Sequence, residues 1–136
     1  MTLPEWHHMA AGALADKMGL EFLELTPSRC VGRMPVEGNT QPMGLWHGGA
    51  SCVLAETLAS VAAFVEVGPT GAVTGVDINA THHRSATAGW VVGTATAIRI
   101  GGHLATYDVV LENEGRRICS ARITVFLKRP RPPRAS

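Results

Sequence analysis

The chain has 136 residues, a length that fits one domain better than two. With 46% hydrophobic and 17% charged residues it can fill a core, so general disorder is excluded. A net charge of +1 argues against nucleic acid as the main partner.

The C-terminus carries much of the positive charge: its last residues include Lys128, Arg129, Arg131 and Arg134, and the rest of the chain has more acidic than basic residues. Several prolines and no large apolar side chain predict a solvated, partly extended tail over 128–136, after one domain spanning 1–127. The alternative is a tail that holds an anionic ligand or partner.

The sequence lacks the patterns typical of secreted and membrane proteins, and the predicted cellular compartment follows from this. Cys30, Cys52 and Cys119 lack CxxC spacing, so neither a disulfide framework nor a zinc site is expected. No secretory leader pattern is present, and the longest apolar run, 50–65, contains a glutamate and is short for a membrane span. We expect a soluble cytoplasmic protein with no membrane partner.

The first third of the chain predicts a short helix over 4–18 that ends at Gly19, then strands over 20–25 and 30–36 joined by a turn. Residues 38–44 form a loop by composition. A long helix follows over 47–66. It is apolar nearly all round, which predicts that other structure wraps it.

The second half predicts four strands, over 73–84, 90–100, 104–111 and 118–127, with short turns that favour antiparallel pairing. Val76, Ile78, Ala80 and His82 are expected on one face of the first of them. The predicted fold class is α+β: one curved antiparallel sheet wrapped around the long helix. Its long edges favour dimerisation.

The start of the long helix is the first candidate site. Gly48 and Gly49 leave backbone N–H groups open, and with the helix dipole these can stabilise a carbonyl oxygen that gains negative charge. The alternative is a tight turn packed against a strand. Gln41 and His47 flank the glycines and can donate to a carbonyl or orient a water, although His47 is also typical of a structural helix start.

Glu56 is the sharper signal, because it is the only charge between His47 and Val65 on a helix expected to be buried. It could instead be satisfied by Ser60 or face a wet cavity. Glu56 follows Gly48 by eight residues, about 12 Å along a helix axis, so one small carbonyl group cannot touch both. If both act in one reaction, they come from different chains, with two shared sites per dimer.

Other chemistries have weak support. His82 and His83 are adjacent on a strand and should point to opposite faces, and neither has a metal-ligand partner at a convincing spacing. The sequence contains no HExxH, GxSxG or Walker pattern. Neither metal catalysis nor a serine-hydrolase triad is predicted.

Two segments carry a family resemblance: QPMGLWHGGASCVLAETLAS and TGVDINATHHRSATAGWVVG. They resemble the hotdog-fold acyl-CoA thioesterases, especially the group of the Arthrobacter-type 4-hydroxybenzoyl-CoA, the 1,4-dihydroxy-2-naphthoyl-CoA and the enterobactin-proofreading thioesterases. The resemblance covers roughly 20–127 and centres on HGG-x6-E. It implies a sheet wrapped around a helix and a dimer usually paired into a tetramer. The substrate implied is an aromatic acyl-CoA, with medium-chain or phenylacetyl-type acyl groups as the alternatives.

The resemblance also assigns catalytic roles. It makes Glu56 the nucleophile or general base, Gly48 or Gly49 the oxyanion donor, and Gln41 and His47 the carbonyl-binding side chains. Ser60 is placed near the attacking water, with Thr57 as a further neighbour. This chemistry needs a partly wet Glu56 carboxylate and no metal or organic cofactor.

The resemblance further suggests that Arg84, Ser85, Gly101 and Gly102 contact CoA, and that His82 lines the acyl pocket. Trp46 stands where relatives often have a smaller aliphatic residue, which leaves the acyl size open, and His103 stands where some relatives carry a longer cation.

Two other functions stay open: a hotdog dehydratase or isomerase, and a non-catalytic acyl-CoA-binding regulator. The combination of Glu56, Gln41 and HGG favours the enzyme.

Overall fold

The computed structural model describes residues 11–132. The described elements, in chain order, are α1 (Gly12–Met18), β1 (Glu21–Leu25), β2 (Arg29–Pro35), α2 (Gly48–Val67), β3 (Ala72–His82), β4 (Trp90–Ile100), β5 (Leu104–Asn113) and β6 (Arg116–Lys128). All strand pairs are antiparallel and form one six-stranded sheet in the order β1-β2-β4-β5-β6-β3. The predicted α+β architecture, a sheet packed on one long helix, is confirmed.

The predicted element boundaries agree with the structure to within two residues for α2 and all six strands. The predicted first helix, 4–18, is seen only from Gly12, because residues 4–10 lie outside the described part of the chain. Both helices end at a glycine with positive φ, Gly19 with φ 80° and Gly68 with φ 84°, as the sequence predicts.

A pair of glycines brings α2 close to the sheet. Gly32 of β2 is paired with Gly93 of β4, and a Cβ on either would lie 2.7 Å from a methyl group of Leu58. The Leu58 side chain, fully buried, therefore occupies the space that two strand side chains would fill. This close approach centres the core on α2, where dense packing requires such shape matching.

Within residues 11–132, α2 is covered mainly on the side that faces the sheet. Leu54, Leu58 and Ala62 are fully buried against the sheet. The opposite side is half-buried or exposed and comprises Cys52, Val53, Glu56, Thr57 and Ser60. The prediction that other structure wraps the helix is confirmed on the side that faces the sheet, and within residues 11–132 the side that carries Glu56 stays open. By length and composition α2 could cross a membrane, but more than half of it is buried, so it is the core helix of the domain.

The strands β6 and β3 differ in how regular they are. In β6 the predicted alternation is confirmed: Cys119, Ile123 and Val125 are buried, and Arg122 is exposed between them. In β3 a bulge interrupts the alternation between Gly75 and Asp77. The face predicted for this strand is therefore wrong at Val76, which is 56% exposed.

The start of the tail is not simply solvated. The Arg129 guanidinium donates to the Glu66 carboxylate at 2.8 Å and to the carbonyl oxygens of Gly101 at 2.9 Å and Gly102 at 3.2 Å. The second residue of the predicted tail is thus attached to the domain through three acceptors on one rigid guanidinium, while its side chain stays partly exposed. Arg134 lies outside the described residues.

Candidate active site

The two glycines at the start of α2 differ in their hydrogen bonds. The Gly49 N–H donates to His47 Nδ1 at 2.8 Å, which makes His47 the N-cap of α2. The Gly48 N–H has no partner among residues 11–132. Of the two predicted oxyanion donors, therefore, only Gly48 has its N–H available for a ligand at the positive end of the helix dipole.

The capping bond also fixes the state of the His47 ring. Because Nδ1 accepts a hydrogen bond, the proton of the neutral imidazole is on Nε2. The side chain is exposed. His47 is thus both a structural helix start and a potential Nε2–H donor to a ligand, so the two interpretations offered by the sequence are compatible.

Gln41 is oriented in a similar way by the loop before α2. Its side-chain oxygen accepts hydrogen bonds from the backbone N–H groups of Met43 and Leu45, and its own backbone N–H donates to the Leu45 carbonyl at 2.8 Å. With the oxygen occupied, the amide presents its NH₂ group as a donor.

Gln41 and Gly48 border one cavity of about 380 Å³, whose lining also includes Trp46, His82 and Ile118, whereas His47 lies beside it at the N-cap of α2. Trp46 is 7% exposed, and its indole N–H donates to the buried Ser51 hydroxyl at 2.7 Å. Trp46 is therefore held in place as one wall of this cavity, which we call the carbonyl cavity.

The end of β3 supplies the imidazole next to the glycine. A Cβ at Gly48 would lie 2.9 Å from His82 Nε2, so the His82 ring packs directly on the helix start. The His83 ring points the other way, with Nε2 lying 2.9 Å from the Ser120 hydroxyl. The predicted opposite orientation of the two histidines is confirmed.

Glu56 lies in a different place. Its side chain is exposed and has no hydrogen-bond or ion-pair partner among the described residues. It borders a cavity of about 340 Å³ with Cys52, Thr57 and Ser60, which we call the carboxylate cavity. Of the alternatives left open by the sequence, the wet carboxylate is the one observed, and Ser60 is a neighbour on the same helix without a hydrogen bond to Glu56.

One chain keeps the two halves of the predicted site apart. The carbonyl cavity contains Gln41, Gly48 and His82 but not Glu56, and the carboxylate cavity contains Glu56 but none of those three. This separation follows from their positions on α2, since eight helical residues span about 12 Å.

The residues suggested as CoA contacts fall into two groups. Arg84 and Ser85 line a third cavity of about 540 Å³, which also contains Arg116. This cavity adjoins the carbonyl cavity, because Arg84, Ser85 and Ile118 line both. Gly101 and Gly102 lie at the other end of β6, where the Leu127 N–H bonds the His103 carbonyl. The structure does not bring these two groups together within one chain.

Two of the thiols are unsuited to nucleophilic chemistry. Burial, aided by the negative charge of Glu24, raises the pKa of Cys30 to about 12. Burial and the neighbouring Cys52 raise the pKa of Cys119 as well. Both thiols are thus protonated at neutral pH and behave as core side chains.

Sequence reasoning missed two residues that lie close to the candidate site residues. Gly75 of β3 faces the Glu56 carboxylate, and a glycine inside a strand is a recognised sign of a bulge or a close approach. Arg116 shares a cavity with Arg84, but its position after a turn in the sequence gives no comparable sign.

Comparison with known proteins assigns the family. Residues 43–120 match the family model described as the thioesterase superfamily. A Vibrio cholerae protein provisionally described as an esterase is 43% identical over 124 residues, covering 90% of this chain and 83% of its own length. The proofreading thioesterase EntH of Cronobacter turicensis is 36% identical, covering 91% of this chain and 92% of its own.

A solved structure agrees with the sequence matches. A variant of a Pseudomonas aeruginosa thioesterase superposes with a TM-score of 0.85 at 32% identity, covering 93% of this chain and 96% of its own. The fold, the family model and these relatives agree, and the chain therefore belongs to the thioesterase superfamily as a hotdog-fold thioester hydrolase.

Proposed function

We propose that this chain is a cytoplasmic acyl-CoA thioesterase that releases an aromatic acid from its CoA thioester, with Glu56 of one subunit and the α2 start of another forming each site. The observation that carries the proposal is a Gly48 N–H beside an oriented Gln41 amide, in a cavity separate from the Glu56 carboxylate. Neither the N–H nor the carboxylate has a partner among residues 11–132.

The carbonyl cavity suits the thioester oxygen. When the carbonyl carbon is attacked, negative charge develops on that oxygen, and the Gly48 N–H, the Gln41 amide and the His47 Nε2–H are donors near the positive end of the α2 dipole. Removing one such donor typically costs about 10²–10³ in rate.

The Glu56 carboxylate supplies the attack in one of two ways. It adds to the carbonyl carbon to form a mixed anhydride that water then hydrolyses, or it takes a proton from the water that attacks. An exposed carboxylate without an internal partner is free for either role. Thiolate is a good leaving group, so neither route needs a strong acid, a metal or an organic cofactor.

A second copy of the chain would complete the site. The uncovered side of α2 carries Glu56, and the edge strand β3 beside it exposes Val76 and Ile78. Two antiparallel α2 helices would place Gly48 of one chain near Glu56 of the other. Leu104, Phe126 and Ile98, all exposed, supply a second apolar surface for pairing dimers into a tetramer.

The CoA and acyl groups would occupy adjoining spaces. Arg84 and Arg116 offer two cations for CoA phosphates in the cavity that adjoins the carbonyl cavity. An aromatic acyl group would lie against Trp46, His82 and Ile118, whose flat or apolar surfaces favour a ring.

Release of free CoA thiol from aryl- and alkyl-CoA thioesters tests the activity, with Glu56→Gln and Glu56→Ala beside wild type and Glu112→Ala as a control for loss of an exposed carboxylate. We expect turnover that collapses in both Glu56 variants and persists in the control. Binding without turnover by wild type would instead identify a non-catalytic acyl-CoA-binding regulator.

Mixing tests whether the site is shared. Glu56→Ala and Gln41→Ala chains, each inactive alone, form mixed dimers with one intact site when unfolded together and refolded. Random pairing should restore about one quarter of wild-type activity. No recovery would place both groups in one chain.

A further inference from the structure

We infer that Gly75 is a positioning residue for Glu56: the missing side chain at this point of β3 provides the space in which the carboxylate lies. This inference rests on the proposed role of Glu56. A Cβ built on Gly75 would be 3.0 Å from Glu56 Oε1 and 3.4 Å from its carboxyl carbon. Gly75 is not among the glycines with positive φ, so glycine matters here for the space that it leaves to Glu56 and not for its backbone conformation.

The bulge in β3 changes which residues face the helix after Gly75. Gly75 is paired with Val125 and Asp77 with Thr124, which leaves Val76 as an extra residue without a partner on β6. Before the bulge, Gly75 shares the core-facing side with its buried partner Val125. After the bulge that side passes to Ile78, Ala80 and His82.

One extra residue in β3 therefore allows the strand to contact α2 at two positions. Gly75 and His82 are seven residues apart, and in a regular strand residues an odd number apart face opposite ways. Because of the bulge, both face α2, Gly75 at Glu56 and His82 at Gly48. Bulges beside active sites commonly re-aim side chains in this manner.

The close approach of Gly75 to Glu56 predicts that a substitution at Gly75 lowers catalysis more than it lowers stability. Oε1 is the end of a flexible, exposed side chain, so a methyl group at Gly75 is accommodated by a small rotation of Glu56. The fold tolerates that movement, whereas a reacting group displaced by about 1 Å can lose about 10² in rate. Substitution of a glycine with a purely structural role would instead lower stability more than it lowers activity.

The primary experiment compares Gly75→Ala with wild type on the best CoA thioester, with Thr74→Ala as the matched control. Thr74 is the neighbouring residue of β3 and is exposed. We expect Gly75→Ala to lower kcat about 10- to 100-fold, with KM changed less than about threefold and a melting temperature within a few degrees. Thr74→Ala should keep the wild-type kcat.

A double-mutant cycle then tests whether Gly75 acts through Glu56. Glu56→Asp shortens the side chain by one methylene and withdraws the carboxylate from Gly75. In that background Gly75→Ala should lower kcat less than about threefold.

An equal loss in both backgrounds, an unchanged kcat in Gly75→Ala, or an equal loss in Thr74→Ala would overturn the positioning role. If Glu56→Gln keeps the wild-type kcat, the proposed function itself is wrong and this inference falls with it. That result is distinct from a failure confined to the Gly75 variant.

Discussion

His82 packs so closely on Gly48 that no side chain fits between them, since a Cβ at Gly48 would lie 2.9 Å from His82 Nε2. The contact joins the end of the edge strand β3 to the first residue of α2. It also joins the two sequence segments that carry the family resemblance. An open backbone N–H and an imidazole are thereby brought to one cavity.

We predict that Gly48→Ala lowers kcat/KM about tenfold although the backbone N–H is retained, because the new methyl group displaces the His82 ring by a few tenths of an ångström from the cavity wall. The φ of Gly48 is not in the left-handed region, so alanine adds no backbone strain. Steady-state kinetics with the CoA thioester, together with a thermal melt, measure both effects.

The control for this prediction is the same substitution in a His82→Ala background. With the ring removed, the methyl group has nothing to displace, and Gly48→Ala should then change kcat/KM by less than about twofold. A tenfold loss in both backgrounds would mean that the methyl group blocks the substrate directly and that His82 is not involved.

Two substitutions at His47 should distinguish its capping role from its binding role. Asparagine is as good an N-cap as any residue, whereas alanine at an N-cap costs about 1 kcal/mol. We therefore predict that His47→Asn keeps the free energy of unfolding within about 0.5 kcal/mol of wild type and that His47→Ala lowers it by about 1 kcal/mol. Both variants should lose about tenfold or more in kcat, because both lack the Nε2–H donor.

Urea unfolding and steady-state kinetics on the two His47 variants decide between the roles. Full activity in His47→Asn with a loss only in His47→Ala would show that the ring serves as a cap for the Gly49 N–H and nothing more.

The fold was predictable because its signals are local. The long apolar run bounded by glycines predicts α2, and the alternation in β6 predicts its buried face, since both periods follow from backbone geometry. The bulge in β3 was not predictable in the same way. Val76 and Ile78 look like one alternating face, and the glycine before them has no side chain to reveal the change of phase.

The different roles of residues in the candidate site could not be predicted from the sequence. Gly48 and Gly49 are equivalent in the sequence, and only the hydrogen bond from Gly49 to His47 distinguishes them. Arg129 looked like one charge among several in a solvated tail, but it is held by acceptors from two distant segments. The apolar composition of α2 predicts that the helix is buried. It does not tell whether the same chain or a second copy covers each side of the helix.

The buried thiol of Cys30 makes stability sensitive to alkaline pH. Burial, with the charge of Glu24, raises its pKa from 9.0 to about 12, so the folded chain holds this proton more tightly than the unfolded chain. Below pH 9.0 the Cys30 thiol is protonated in both the folded and the unfolded chain, so its titration does not lower the free energy of unfolding there. Between pH 9.0 and about 12 the unfolded chain alone releases the proton, so stability falls. The raised pKa values of Cys119 and Tyr107 act in the same direction.

We therefore predict that the free energy of unfolding declines above pH 9.0 and that Cys30→Ala declines less steeply, by up to about 1.4 kcal/mol per pH unit. Urea unfolding in reducing buffer from pH 7.5 to 10.5, at one protein concentration, measures the slopes. Val91→Ala is the control, because it truncates another fully buried side chain without removing a titratable group. It should lower stability equally at every pH. Equal slopes for wild type and Cys30→Ala would contradict the prediction and show that Cys30 does not titrate differently in the folded chain.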